Sequence, residues 1–426
     1  MSAGLPAGVR ARAPGVRGAS AGLLRGVASL FLAACAALAA ASCDDLITQP
    51  PADEDLFDAP LPGLTAEELA AFARGDAEFG RRFAASSGLG PIFNNVSCAD
   101  CHSGDGRGRP DNILVRFSLP GDPLALDAGG PQIQDKAIPG AVPEVPPPGA
   151  LVSRRLPPPV FGVGLIEAIP AEAILANADP FDEGGDGVSG RPNLVTPPAF
   201  VPGNEPGGGP GPALGRFGRK AQVSSLLEQV AAAYHQDIGV TSDFLPDENV
   251  NPQAGPGPRA ADLVADPEIA ASTVNAVVDY IRMLAPPAPG AMTERRLRGQ
   301  TLFLEVGCSS CHVPELHTGP SPIGALAHRP VPLFSDLLLH DMGEALADNR
   351  PDGEADGREW RTAPLWGLRV MRDFLAGDAF LLHDGRAGTV ADAIGFHGGE
   401  AASARAAFDA LPPDDRAALL DFVESR

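Results

Sequence analysis

The sequence predicts a mainly α-helical fold with extensive irregular loops, built as two domains of one kind. Three observations carry this. The motif Cys-x-x-Cys-His occurs twice, at Cys98-Ala99-Asp100-Cys101-His102 and Cys308-Ser309-Ser310-Cys311-His312, 210 positions apart. Each copy has a helical apolar pattern before it and an amphipathic helix after it. Between them runs a Pro- and Gly-rich stretch, about Leu119 to Gly215, whose composition suits neither long helices nor central strands.

The chain begins with a segment that reads as an export signal. Arg10, Arg12, Arg17 and Arg25 form a basic start without an acid, and seventeen small or apolar residues follow from Gly26 to Ser42. That length suits a secretory h-region better than a membrane span. The segment ends at Cys43-Asp44-Asp45 and resembles a bacterial lipoprotein signal. Cys35, after Leu32-Ala33-Ala34, competes with Cys43, which has the longer apolar run before it and the polar start after it. An ordinary cleaved signal or an uncleaved anchor is the plainer alternative. The expected division is a signal at 1–42, a tether at 43–61, an N-terminal domain at 62–288 and a C-terminal domain at 289–426. The expected location is the periplasm, with membrane contact through a lipid anchor alone.

Each helix has its own signal. Thr65 and Glu68 make a capping box ahead of Leu69, Phe72, Phe79 and Phe83. Val274, Val277, Val278, Ile281 and Leu284 form the closing stripe of the first domain, stopped by Pro286-Pro287. In the second domain Thr293 is the N-cap before Leu297, Thr301 and Leu304, and Leu419, Leu420, Phe422 and Val423 close the chain. Phe93 and Phe303 each stand five residues before their motif, which suggests equivalent places.

Cysteine usage gives the chemistry. With Cys35 and Cys43 set aside, the other four of the six cysteines all belong to the two motifs. C-x-x-C-H is the attachment signature of c-type haem: two thiols bond the porphyrin vinyl groups and the adjacent histidine reaches the iron. A redox dithiol does not need the histidine. A four-cysteine zinc site would leave both histidines idle, and a two-residue loop makes a poor structural disulfide. Two haem c groups are therefore expected, on Cys98, Cys101 and His102 and on Cys308, Cys311 and His312. Helix, motif, loop and closing helix together describe a cytochrome c-like domain, present twice.

Longer strings carry a resemblance. Gly215-Arg216-Phe217-Gly218-Arg219-Lys220-Ala221, Phe334-Ser335-Asp336-Leu337-Leu338-Leu339-His340-Asp341-Met342-Gly343, Glu359-Trp360-Arg361-Thr362-Ala363-Pro364-Leu365-Trp366-Gly367-Leu368, Leu382-His383-Asp384-Gly385-Arg386-Ala387 and His397-Gly398-Gly399-Glu400-Ala401 resemble the bacterial di-haem oxidoreductases. These are also labelled thiol oxidoreductase-like and are similar to di-haem cytochrome c peroxidases. The resemblance implies two haems close enough to exchange electrons, one six-coordinate and the other opening a position for peroxide. The family commonly carries an aromatic where this chain has Arg219.

The sixth iron positions are less legible. Met342 is the choice for the second haem, with His340 and His383 as competitors, because a distal Met suits electron transfer. His235 is the one candidate beside the first haem, with an exposed helix-end role as its plainer reading; His397 reads as packing in its His-Gly-Gly turn. Trp366 is a candidate electron relay. Asp182-Glu183-Gly184-Gly185-Asp186-Gly187 partly matches a calcium loop, but Gly stands at its third position and the terminal Glu is missing; a solvated turn accounts for it equally. No catalytic acid–base residue is identifiable.

With net charge −22, which loss of the four leader arginines makes more negative, the chain is unsuited to nucleic acid and suited to a basic partner. The expected function is an exported enzyme, a di-haem oxidoreductase that takes electrons from a donor cytochrome or other small redox protein and reduces a small oxidant, peroxidase-like. The alternative is a lipid-tethered di-haem carrier without chemistry of its own.

Overall fold

Two helix pairs, built alike, organise the chain. In the computed structural model, which describes residues 56–426 apart from 103, 105, 255–260, 376 and 378, the helices are α1 (Ala66–Phe79), α2 (Cys98–Cys101), α3 (Val163–Ala168), α4 (Ala171–Leu175), α5 (Leu226–Ala233), α6 (Ala271–Met283), α7 (Glu294–Glu305), α8 (Leu368–Phe374), α9 (Val390–Phe396), α10 (Ala402–Asp409) and α11 (Pro413–Glu424). The expected signal at 1–42, with Cys35 and Cys43, lies outside the described residues. Helix α1 packs on α6, and α7 packs on α11.

Both crossings depend on a glycine. A Cβ at Gly75 would run into the Ala276 carbonyl and Tyr280 Cβ, and one at Gly299 into the Ala418 carbonyl and Phe422 Cβ. Only a residue without a side chain lets the backbones come this close. One turn further on, each helix presents a phenylalanine to its partner's aromatic and to the motif histidine. Phe79 lies 5.4 Å from the Tyr280 ring and 6.1 Å from His102. Phe303 lies 5.7 Å from Phe422 and 6.5 Å from His312. Gly75→Ala and Gly299→Ala are each expected to cost about 1–3 kcal/mol by overpacking. Thermal unfolding checks this against Gly324→Ala, where a new Cβ would meet nothing within 4 Å.

This frame corrects three expectations. The counterpart of Phe303 is Phe79, not Phe93, which sits in a short strand paired with Lys136. The stripe Leu297, Thr301 and Leu304 faces solvent, while Gly299, Leu302 and Phe303 are the buried face of α7. Nor does the tether run to residue 61. Phe57 is fully buried and stacks on Phe161 with centroids 4.9 Å apart, and Leu61 N–H donates to Met283 O at the end of α6.

Other signals behave as read. Thr65 caps α1 in a full capping box and Thr293 caps α7. Val274, Val277, Val278, Ile281 and Leu284 are all buried. Strands among the described residues occur as two-stranded antiparallel ribbons. The longest joins Leu114–Ser118 to Leu151–Arg155, and another joins Leu339–Asp341 to Glu359–Arg361. The Pro- and Gly-rich stretch supplies short pieces of structure laid over the helices, and among the described residues no helix is long and apolar enough to cross a membrane.

Candidate functional site

Each Cys-x-x-Cys-His forms a single helical turn. His102 N–H donates to Cys98 O at 3.0 Å, and His312 N–H to Cys308 O at 2.9 Å. Ser97 caps the first turn by accepting from Asp100 N–H. The turn sets both sulfurs to one side and turns the imidazole off the end. Both motifs line one cavity of about 580 Å³, walled chiefly by apolar side chains.

The two motif histidines are held alike. His102 Nδ1 donates to Gly106 O at 3.3 Å and His312 Nδ1 to Phe334 O at 2.9 Å. Burial pulls both imidazoles down to about 4, so they are neutral at physiological pH. A neutral ring anchored through Nδ1 is the form in which histidine binds iron through Nε2. Burial pushes the Cys101 thiol up to about 12 and Cys308 up to about 11. These are thiols rather than thiolates, the reverse of a reactive redox pair.

His397, the C-cap of α9, resembles the proximal pair in its environment. It lines the cavity near His312 and donates Nδ1–H to Ala393 O at 2.7 Å, leaving Nε2 without a protein partner. Sequence reasoning took it for a packing residue, and the missed signal is its position just beyond a capped helix. Met342 also lines the cavity, and its turn lies against Gly398 and Gly399. His340 is not free to bind iron. Its Nδ1 pairs with Glu400 and its Nε2 with Asp336, both at 2.8 Å. Burial opposes its charge, yet hydrogen bonds to Asp336, Cys311 and Glu400 push it up to about 12. His383 stacks on Trp360 at 3.7 Å, and burial lowers it to about 3, too low to act as a general acid near neutral pH. His235 lies off the cavity with Nε2 on Asp247 O. Trp366 lines the cavity, packed against Gly162.

The string Gly215–Ala221 divides its cations among three jobs. Arg216 caps the end of α3 through the carbonyls of Ile166, Glu167 and Ile169. Lys220 is fully buried, with Nζ on Asp348 at 2.8 Å and over the Trp360 ring. Arg219 turns into the cavity wall beside Arg107 and Arg361. The acidic loop at 182–187 spends its carboxylate on itself, since Asp182 accepts from Asp186 and Gly187 N–H. Four carboxylates converge elsewhere, at Glu248, Asp262, Asp266 and Glu268.

The chain matches the family model described as "Di-haem oxidoreductase, putative peroxidase" over residues 51–116 and 149–426. It belongs to the di-haem oxidoreductase family. Among solved structures this di-haem oxidoreductase is similar to hydrazine synthase of Kuenenia stuttgartiensis, with 16% identity over 89% of this chain and 93% of that one, at a TM-score of 0.37. It is also similar to a MauG-like protein associated with microbial copper homeostasis, with 13% identity over 60% and 88% of the two chains and a TM-score of 0.30. No curated protein sequence matches it. The donor set fits haem: two neutral histidines, a buried protonated thiol in each motif and an apolar cavity with cations in its wall.

Proposed function

We propose that this di-haem oxidoreductase carries two covalently attached c-type haems and reduces a small oxidant, peroxide-like, at the first of them. The observation that carries the reading is one cavity walled by both Cys-x-x-Cys-His turns, each with a neutral histidine anchored through Nδ1. Haem supplies the electron-accepting iron and its redox chemistry when bound; the chain's residues hold, orient and shield it. Cys98 and Cys101 would anchor the first haem with His102 as its proximal ligand, and Cys308 and Cys311 the second with His312. Haem c attachment rests on the motif, and calcium has no part in the proposal.

For the sixth position of the second haem, the side-chain arrangement favours His397 over Met342. The placement of His235 away from the cavity supports an open position at the first. Trp366, on the shared wall, is the proposed relay. A donor cytochrome or other small redox protein would deliver electrons, drawn by the acidic surface, to a protein exported to the periplasm and tethered by lipid. Carrier-only function is the competing reading.

Low-temperature EPR of the matured protein, oxidised and then half-reduced, tests the proposal. The expected result is a high-spin signal from one haem; two low-spin signals in both forms would leave a carrier. His397→Gly should convert the second haem to high spin while Met342→Leu leaves it low spin. The opposite pattern would return the ligand to Met342.

A further inference from the structure

Three arginines meet on the cavity wall, none ion-paired to a described residue; the carboxylates whose charges reach them are Asp384, which acts on Arg219, and Asp336, which acts on Arg361. Arg107 and Arg219 are 5% and 9% exposed, and Arg361 is part-buried. They stand on three chain segments, tied together directly and through Leu156 and the Leu382–His383 segment. Arg361 N–H donates to Arg219 O at 3.0 Å, Arg219 Nε and Nη2 donate to Leu156 O at 3.1 and 2.7 Å, and Leu156 N–H donates to His383 O at 2.8 Å. Arg107 Nη2 donates to Leu382 O at 2.8 Å, next to His383. Arg361 Nε and Nη1 reach Gly218 O and Thr362 O. Every partner in this set is a main-chain carbonyl, apart from the Met371 sulfur against Arg107. None of the three makes an ion pair with a described residue. Among the described residues, Arg107 Nε is buried without a partner, and Arg219 Nη1 and Arg361 Nη2 make no hydrogen bond.

Burying three guanidiniums together is expensive. Burial, and then the charges of Arg107, Arg361 and Arg155, hold Arg219 well below the ordinary arginine value. Burial lowers Arg107 and Arg361 to about 10, so both remain charged. A cationic wall of this kind is stable when an anion completes it. Arginine forks match a carboxylate as they match a phosphate, because parallel N–H groups meet two oxygens, and a carboxylate is the anion that haem itself would bring.

We propose that Arg107, Arg219 and Arg361 form a carboxylate-binding site for the propionate groups of haem. This rests on the di-haem reading above. Two requirements meet here. The protein has buried cations lacking an anion. A porphyrin fixed by its vinyl edge to the cysteines brings carboxylates on its opposite edge, and those must enter the same cavity and lack a cation. The cluster would fix the porphyrin's rotation about the thioether edge. It would also favour the reduced haem, since neighbouring positive charge opposes the extra charge on oxidised iron.

The test uses the full chain matured with haem. Haem content is measured first, then the midpoint potentials across acid to alkaline pH, in wild type and in Arg219→Gln, Arg361→Gln and Arg219→Lys. Two covalent haems, a lowered potential in one of them for each Gln variant, a new potential step in the acid range from a propionate that now holds its proton, and recovery of most of the loss by Arg219→Lys are expected. Arg361→Gln keeps the test open should Arg219→Gln fail to mature. Fewer than two covalent haems in wild type overturns the di-haem reading and this inference together. Two haems with potentials unchanged in both Gln variants overturn this inference alone. Acetate and nitrite added to wild type should leave the Soret band unmoved. A saturable shift that Arg219→Gln abolishes would assign the cluster to a diffusible anion and overturn the propionate assignment.

Discussion

Replacing Cys98 and Cys101 by alanine is expected to halve the covalently bound haem, leaving the second site loaded and the first empty or exchangeable. The first turn offers two cysteines, of which Cys101 is held protonated by burial at about 12, and one histidine anchored through Gly106 O. A thiol adding across a vinyl group supplies the bond that a single weak iron–imidazole contact cannot. The two turns share a cavity but no sulfur, so loss of one pair should not unload the other. Haem staining of denatured protein, with intact mass on the same sample, reads the count. Retention of two haems would sink the covalent assignment at the first motif. Bound zinc in place of haem in wild type would revive the four-cysteine reading. The mirror variant, Cys308→Ala with Cys311→Ala, should leave the first haem only. The empty half should also lose protection from proteolysis, because Phe79 and Phe303 are each packed between a closing helix and a motif histidine.

What the sequence disclosed depended on whether a function needs contiguous residues. The proposed haem attachment does, because one turn would have to carry both sulfurs and the imidazole, so both candidate sites are legible in spacing alone. The α1 cap and the α6 stripe were equally plain, since capping and burial of a single face are local. The second upstream helix was misread because apolar spacing was taken for the buried face. Its contact instead needs a small residue, Gly299, where backbones meet, with Phe303 a turn later; Leu297 and Leu304 are left in solvent. The shared pattern Gly-x-x-x-Phe, at Gly75–Phe79 and Gly299–Phe303, was the available signal. The arginine cluster had no such signal. Arg107, Arg219 and Arg361 are separated by more than a hundred residues at each step and meet only because main-chain bonds draw their segments together. The role proposed for His397 is hidden for a similar reason, since it rests on the Nδ1 contact with Ala393 O and not on neighbours in sequence.

His340→Gln is expected to destabilise the protein by about 3–5 kcal/mol, because it leaves Asp336 and Glu400 buried without the cation between them. His340 has a side chain only 3% exposed, between carboxylates that are 1% and 11% exposed. Burial disfavours its charge, but the hydrogen bonds to Asp336, Cys311 and Glu400 raise it from 6.5 to about 12. A group raised on folding contributes its full stabilisation below its unfolded value of 6.5. That contribution is lost as pH climbs toward 12, at up to about 1.4 kcal/mol per pH unit. Glu400 is the other end of the same interaction. Burial would raise it, yet His340 and the Asp341 and Ser189 N–H groups bring it from 4.5 down to about 2. Its share is present above 4.5 and disappears as pH falls through 2. The clamp is therefore strongest between about pH 4.5 and 6.5. The stability gap between wild type and His340→Gln, read from denaturant midpoints of the haem-loaded protein, should shrink from about pH 6 to about pH 9. A gap of equal size at both pH values would mean that His340 contributes by shape and not by charge. The stakes are functional as well as structural. Asp336 N–H holds Cys311 O at 3.0 Å, and the same carboxylate grips the histidine, so the clamp anchors the second motif. Glu400 bonds Ser189 and the Asp341 main chain, and carries that anchor to the turn beside Met342 and His397. Loosening it should broaden the second haem's spectrum before the protein unfolds, whichever of those two residues completes the iron.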